Sequence, residues 1–233
     1  MALTLGKRKP NSAAWAFIVI NCLVYYLASR PDAIDSVAGR WLVTPESLCL
    51  ARPFTQWALA VILLLIVPLL SSVALDAGEP IRLRTGLSLP RWDLRTIALC
   101  AGGVMVMAAS AWWASRRGDF QSEYPLCPWA WSDLSAGIPY YLGYLGYYLA
   151  WEFFFRGYIQ LRMADRSGMA AAMAAQVLLS TLLHWGKPWP EFWGALPGGV
   201  FYGYLALATK SVWPSFFLHA QLGFLTDYFC VNQ

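Results

Sequence analysis

Five ionisable side chains fall inside the long apolar stretches of this sequence: Glu152, Arg156, His184, His219 and Asp227. Both histidines of the chain are among them. A charge at the centre of a membrane helix costs at least ~2.5–3.5 kcal/mol on insertion scales, so it is kept only with a partner or a task. Glu152 and Arg156 stand four residues apart in Ala150-Trp-Glu-Phe-Phe-Phe-Arg-Gly157. That spacing stacks them on one helix face, with the Glu N-terminal, the better order for an ion pair. Gln176, Ser180 and His184 recur every four residues on an Ala/Leu helix. Such a polar seam must face other helices or a water-filled cavity. His219, Gly223 and Asp227 share a second face at the same spacing. Asp227 lies near the chain end, where an interfacial place also suits it, and Gly223 leaves a notch beside His219 that a substrate backbone could enter.

A carboxylate and two imidazoles form a working set for amide hydrolysis. Glu152, desolvated, can take a proton from water and return it to the leaving amine. One histidine can share that water, and the other can donate to the tetrahedral oxyanion. The same three residues also match a His₂Glu zinc site, but they come from three separate helices and lack HExxH spacing. Zinc is therefore the second choice, and no cofactor is expected. A serine mechanism is weaker, because no GxSxG is present and Ser180 has no evident third partner.

The elements that must position these residues are membrane helices. The chain of 233 residues is 58% hydrophobic and 13% charged, with mean hydropathy +0.47, about half the charge of a soluble domain. Its many Trp and Tyr residues suit headgroup interfaces. The net charge of +4 is scattered and gives no nucleic-acid surface. Measured against a need for roughly 20 apolar residues per span, the sequence predicts seven spans, at about 13–29, 54–75, 96–114, 138–157, 169–186, 192–209 and 212–230. The fold class expected is all-α, a polytopic helix bundle forming one continuous membrane domain. Residues 1–137 would supply N-terminal helices and 138–233 the helical core that holds the site. A retained first helix is expected from its length and from Asn21-Cys22-Leu23 before Tyr25 and Tyr26, which is no small-residue cleavage site. A cytoplasmic N-terminus is expected from the distribution of Lys and Arg. Inside loops would hold Lys7, Arg8, Lys9, Arg82 and Arg84 among others, against Arg30, Arg40, Arg52, Arg116, Arg117 and Lys187 outside. Cys49 and Cys127 could pair if both loops face an oxidising compartment.

At these residues the chain resembles the CAAX prenyl endopeptidases and their bacterial relatives, the CAAX protease and bacteriocin-processing family of intramembrane proteases. That family is marked by Glu-Glu-x-x-x-Arg, Phe-x-x-x-His and His-x-x-x-Asn motifs on successive membrane helices. Here Trp151-Glu152 to Arg156 is similar to the first, Ser180 to His184 to the second, and His219 to Gly223 to the third. The resemblance covers about 138–230. It departs from the pattern at Trp151, Ser180 and Gly223, where the family carries Glu, Phe and Asn. It implies a metal-free, glutamate-type intramembrane endopeptidase of the bacterial inner membrane. Glu152 would be the base, His184 its water-binding partner, His219 the oxyanion donor and Arg156 the partner of Glu152. The substrate implied is a membrane protein or peptide. The alternatives are a catalytically inactive membrane scaffold or immunity protein, which Trp151 and Gly223 would suit, and a small proton-coupled transporter.

Overall fold

A computed structural model describes residues 12–40, 44–75 and 84–233. Among them all regular structure is helical, in agreement with the all-α expectation. Helix α1 is Ser12–Ala28 and α2 is Pro31–Ala38. Helix α3 (Pro45–Ala60) passes through a π-helical stretch, Val61–Ile66, into α4 (Val67–Leu75). Then come α5 (Leu94–Ala114), the short α6 (Gly118–Gln121) and α7 (Trp129–Ser132), and α8 (Leu134–Glu152). A second π-helix, Phe153–Leu161, links α8 to α9 (Arg162–Ser167). The chain closes with α10 (Met169–Leu182), α11 (Trp189–Thr209) and α12 (Trp213–Val231).

Local chemistry sets the helix starts. Thr44 and Ser47 form a reciprocal capping box ahead of α3, and Asp93 and Thr96 do the same for α5. In each, two backbone N–H groups that the helix cannot satisfy itself find a side chain. Asp133 caps α8 by accepting from the Ser135 N–H. Proline in the first turn opens α2, α3, α11 and α12, where its missing N–H costs nothing.

The segment from Ala150 to Gln160 is buried on every side and forms the axis of the bundle. Around it Ile18, Leu64, Phe153, Phe154, Phe155, Tyr158 and Met163 make the main core. A helix that is apolar all round belongs in the centre of a bundle, and this one carries Glu152, Arg156 and Gln160 into that centre. Gln160 Nε2 donates to the Gly203 carbonyl at 2.8 Å, and Gln176 Nε2 donates to that of Gly199 at 2.9 Å. The polar seam of α10 therefore faces α11. Helix α12 packs chiefly on α5, and α8 on α3.

The outer surface is apolar, with Leu23, Leu70, Met105, Val106 and Leu142 exposed, which suits contact with lipid. Among the described residues, two helices are long and apolar enough to cross a membrane, Glu46–Val73 and Leu94–Ala114. A third span results if Ser12–Ala28 and Pro31–Ala38, bent by 64°, count as one. The other stretches predicted as spans correspond to helices that are shorter, more polar or continued through the π segment. The loop cations Lys7, Arg8, Lys9 and Arg82 lie outside the described residues. Cys49 and Cys127 are joined in a disulfide across 78 residues, tying the start of α3 to the loop before α7.

Candidate active site

Glu152 is the last residue of α8 and is fully buried. Arg156 follows in the π-helix, with its Nη1 3.3 Å from Glu152 Oε1. Its guanidinium carbon sits 5.4 Å from the centre of the Tyr202 ring, close enough for a cation–π contact. The expected ion pair is thus present. The helical form was not legible, because a π-turn has no spacing signature in side-chain type; π-turns recur at functional sites.

The other contact of Glu152 is decisive for the site. His219 Nδ1 lies 2.7 Å from Glu152 Oε1, joining α12 to α8. A carboxylate only accepts, so Nδ1 carries the proton. The imidazole is held between two tyrosines, with ring centres 4.7 Å from Tyr148 and 5.2 Å from Tyr202. Position, tautomer and plane of His219 are all fixed, leaving Nε2 as its free ring nitrogen.

His184 sits in the turn after α10, and its Nδ1 is 2.7 Å from the Ser180 carbonyl oxygen. A carbonyl also only accepts, so this imidazole has the same tautomer and likewise leaves Nε2 free. The Trp151 indole packs edge-on against the ring at 5.2 Å. Ser180 serves His184 through its backbone, while its hydroxyl donates to the Val177 carbonyl at 3.1 Å.

Two cavities meet at these histidines. The larger, about 690 Å³, runs along α5 and is walled mostly by apolar side chains such as Val106, Met107 and Phe201. That volume is in the range of ligand sites. The smaller, about 40 Å³, is polar, bounded by Gln56, Tyr147, Lys187 and their neighbours. A water needs only ~10–15 Å³ of such space, so this chamber has room for one or a few. His184, His219, Glu191, Tyr124, Tyr144 and Tyr148 line both. They form the wall between an apolar groove and a water-sized chamber.

The structure therefore brings His184 and His219 to one wall and ties Glu152 and Arg156 to it through His219. Arg156 also lines the larger cavity, whereas Glu152 lines neither. Asp227 is set apart from the wall. It is fully buried rather than interfacial, and Tyr140 Oη donates to it at 3.1 Å.

Further residues belong to the site and were not singled out as site residues in the sequence. Glu191, in the first turn of α11, accepts from Tyr124 Oη at 2.8 Å, and its Oε1 is 4.0 Å from His184 Nε2. Burial and the Glu191 and Glu123 carboxylates push the Tyr124 phenol well above its ordinary pKa, so it donates as a neutral hydroxyl. Burial opposes the charge of Lys187, but Glu191 and Glu123 outweigh it and hold the ammonium above its ordinary pKa. Lys187 Nζ contacts Glu123 Oε1 at 2.5 Å. Tyr148 explains Gly223: a Cβ there would collide with the Tyr148 hydroxyl oxygen. The notch beside His219 is filled by this phenol and not left for a substrate. Among the described residues, no group of three or more His, Cys, Asp or Glu is arranged to hold a metal ion.

Residues 138–225 match the family model described as Type II CAAX prenyl endopeptidase Rce1-like. The matched segment contains Glu152, Arg156, His184, Glu191 and His219. No curated protein and no solved structure matches the chain.

Proposed function

From a chain whose residues 138–225 belong to the Rce1-like family of intramembrane proteases, we propose a glutamate-type, metal-independent endopeptidase acting on a membrane-associated protein or peptide. The observation that carries this reading is the wall of His184 and His219, each fixed through Nδ1, between an apolar groove and a polar chamber. A peptide segment lies in the groove and water enters from the chamber. His184 Nε2 accepts a hydrogen bond from that water and orients it. His219 keeps its Nδ1–H on the Glu152 carboxylate, and in its doubly protonated form donates from Nε2 to the oxygen of the tetrahedral intermediate. Glu152 has no surface at either cavity. Its part is to place His219 and fix its tautomer, as the buried carboxylate does for the imidazole of a catalytic triad. Arg156 in turn anchors Glu152.

The same reading makes the protein a multi-span bundle of the bacterial inner membrane, with a cytoplasmic N-terminus and the site open to the oxidising side. Supporting this, the Cys49–Cys127 disulfide, the Lys187–Glu123 contact and the Tyr124–Glu191 hydrogen bond link the 123–127 loop, α3 and the His184 turn at one end of the bundle. Disulfides persist in oxidising compartments.

A comparison of membrane-peptide profiles between cells carrying the wild type and cells carrying Glu152→Ala tests the function. The variant should accumulate at least one uncut species. Identical profiles, with both proteins present at equal levels, would remove the peptidase reading.

A further inference from the structure

The scheme above orients a water but does not say what takes its proton. Glu152 lacks access to that water, and Asp227 lies off the wall. His184 Nε2 is one acceptor facing the chamber, and 4.0 Å beyond it stands a carboxylate oxygen of Glu191. Two acceptors at that separation are too far apart to bond each other, yet one water about 2.8 Å from each would bond both, at an angle of about 90°. The second oxygen of Glu191 is occupied by the Tyr124 hydroxyl, which fixes the carboxylate in place. Glu191 lines the apolar groove as well as the chamber. Its carboxylate therefore reaches both sides of the wall where water and peptide meet.

We propose that Glu191 is the general base of this site, taking a proton from the water that His184 holds. The proposal rests on the peptidase reading and names the group that completes it. The water oxygen forms a bond to the scissile carbonyl carbon as one of its protons passes to Glu191. The carbonyl π electrons move onto oxygen, which His219 stabilises. Collapse of the intermediate breaks the C–N bond, and the Glu191 carboxyl returns its proton to the departing amine. The products are a carboxylic acid and an amine, and Glu191 is again a carboxylate. A purely structural role, as acceptor for Tyr124 and neighbour of Lys187, would instead make Glu191 matter for stability and not for turnover.

Glu191→Gln separates the two, because the amide oxygen still accepts from Tyr124 while the basic carboxylate is gone. The purified full chain in detergent micelles is incubated in H₂¹⁸O with a peptide extract of host membranes, and new C-termini carrying ¹⁸O are counted by mass spectrometry. E191Q should lose about 10²–10⁴-fold in rate, the span of general-base catalysis, with its melting temperature held. Tyr124→Phe should move the acidic limb of the pH–rate profile to higher pH, whatever its effect on the maximal rate. Removing a donor from a carboxylate favours its protonated form. The other titratable groups facing Glu191 (Lys187, His184, Tyr147, Tyr148 and, through Lys187, Glu123) are unchanged in that variant. Wild-type cleavage with E191Q equally fast overturns the assignment of Glu191 alone. No labelled termini from the wild type overturns the peptidase reading and this proposal with it. If E191Q does not fold, an acidic limb unmoved in Y124F overturns the assignment.

Discussion

Gly223→Ala should disable the site without touching any group that does chemistry. The added methyl would collide with the Tyr148 hydroxyl oxygen and sit 2.7 Å from the carbon bearing it. To reach a contact of about 3.3 Å the hydroxyl and its ring must withdraw together. The ring has little freedom to do so, because it packs at 4.7 Å against Tyr144, 4.7 Å against His219 and 5.3 Å against Tyr147. Overpacking of this kind costs about 1–3 kcal/mol. In a chain of this size each kcal/mol lowers the melting temperature by about 2–4 °C, giving a drop of about 2–12 °C. The displaced ring also pushes the His219 imidazole off Glu152, so activity should fall further than stability. Thermal unfolding in micelles of Gly223→Ala, Tyr148→Leu and the double variant tests the cause. If Tyr148 is the obstacle, the double variant recovers more than 1 kcal/mol relative to the sum of the singles. Strict additivity would refute the contact and the explanation of Gly223 built on it.

Arg156→Met takes the guanidinium away from the buried Glu152 carboxylate, and should cost about 3–5 kcal/mol in chemical or thermal unfolding. Replacing both Glu152 and Arg156 by Met should restore most of that loss while abolishing activity. Cys49 and Cys127 should resist a membrane-impermeant maleimide on intact cells until a reductant is added from outside; labelling without reductant would show that they are not bonded. Asp133→Ala should weaken the start of α8 in a pH-dependent way. The Ser135 side chain and N–H hold the Asp133 carboxyl below its ordinary pKa, so its stabilising effect is full above about pH 5. It disappears as pH falls through the lowered folded value, and the melting temperatures of wild type and variant should converge in acid.

Glu152, Arg156, His184 and His219 were legible because ionisable groups are expensive in apolar helices, so their presence alone marks them. Their relation was not. Spacing along the chain joins Glu152 to Arg156, but nothing in it brings His219 from α12 to within 2.7 Å of Glu152. Glu191 escaped notice because an acidic residue just after Trp-Pro, in the first turn of a helix, is what the helix dipole favours anywhere. Tyr148 is one of 12 tyrosines, and only the missing Cβ of Gly223 gives its hydroxyl a place. The two departures from the family pattern that suited an inactive scaffold acquire physical neighbours in the fold. The Trp151 ring packs on His184, whose Nε2 lies 4.0 Å from Glu191, and Gly223 admits Tyr148 beside His219. All-helical architecture followed from composition and hydropathy. The number of spans did not, since α8 and its π-helical extension mix burial against protein with burial in lipid, and hydropathy cannot tell them apart.

The central claim is that His184 and His219 act together on one peptide bond, with Glu152 holding the second of them. It is tested most directly by measuring cleavage of membrane peptides by purified wild type, His184→Ala, His219→Ala and Glu152→Gln at matched folded concentration. The account predicts that each variant keeps a cooperative melt and loses at least about 100-fold in rate. It also predicts that the His184→Ala/His219→Ala pair is scarcely slower than either single variant, as for residues acting as a unit. Full activity in any one of these stable variants would contradict it.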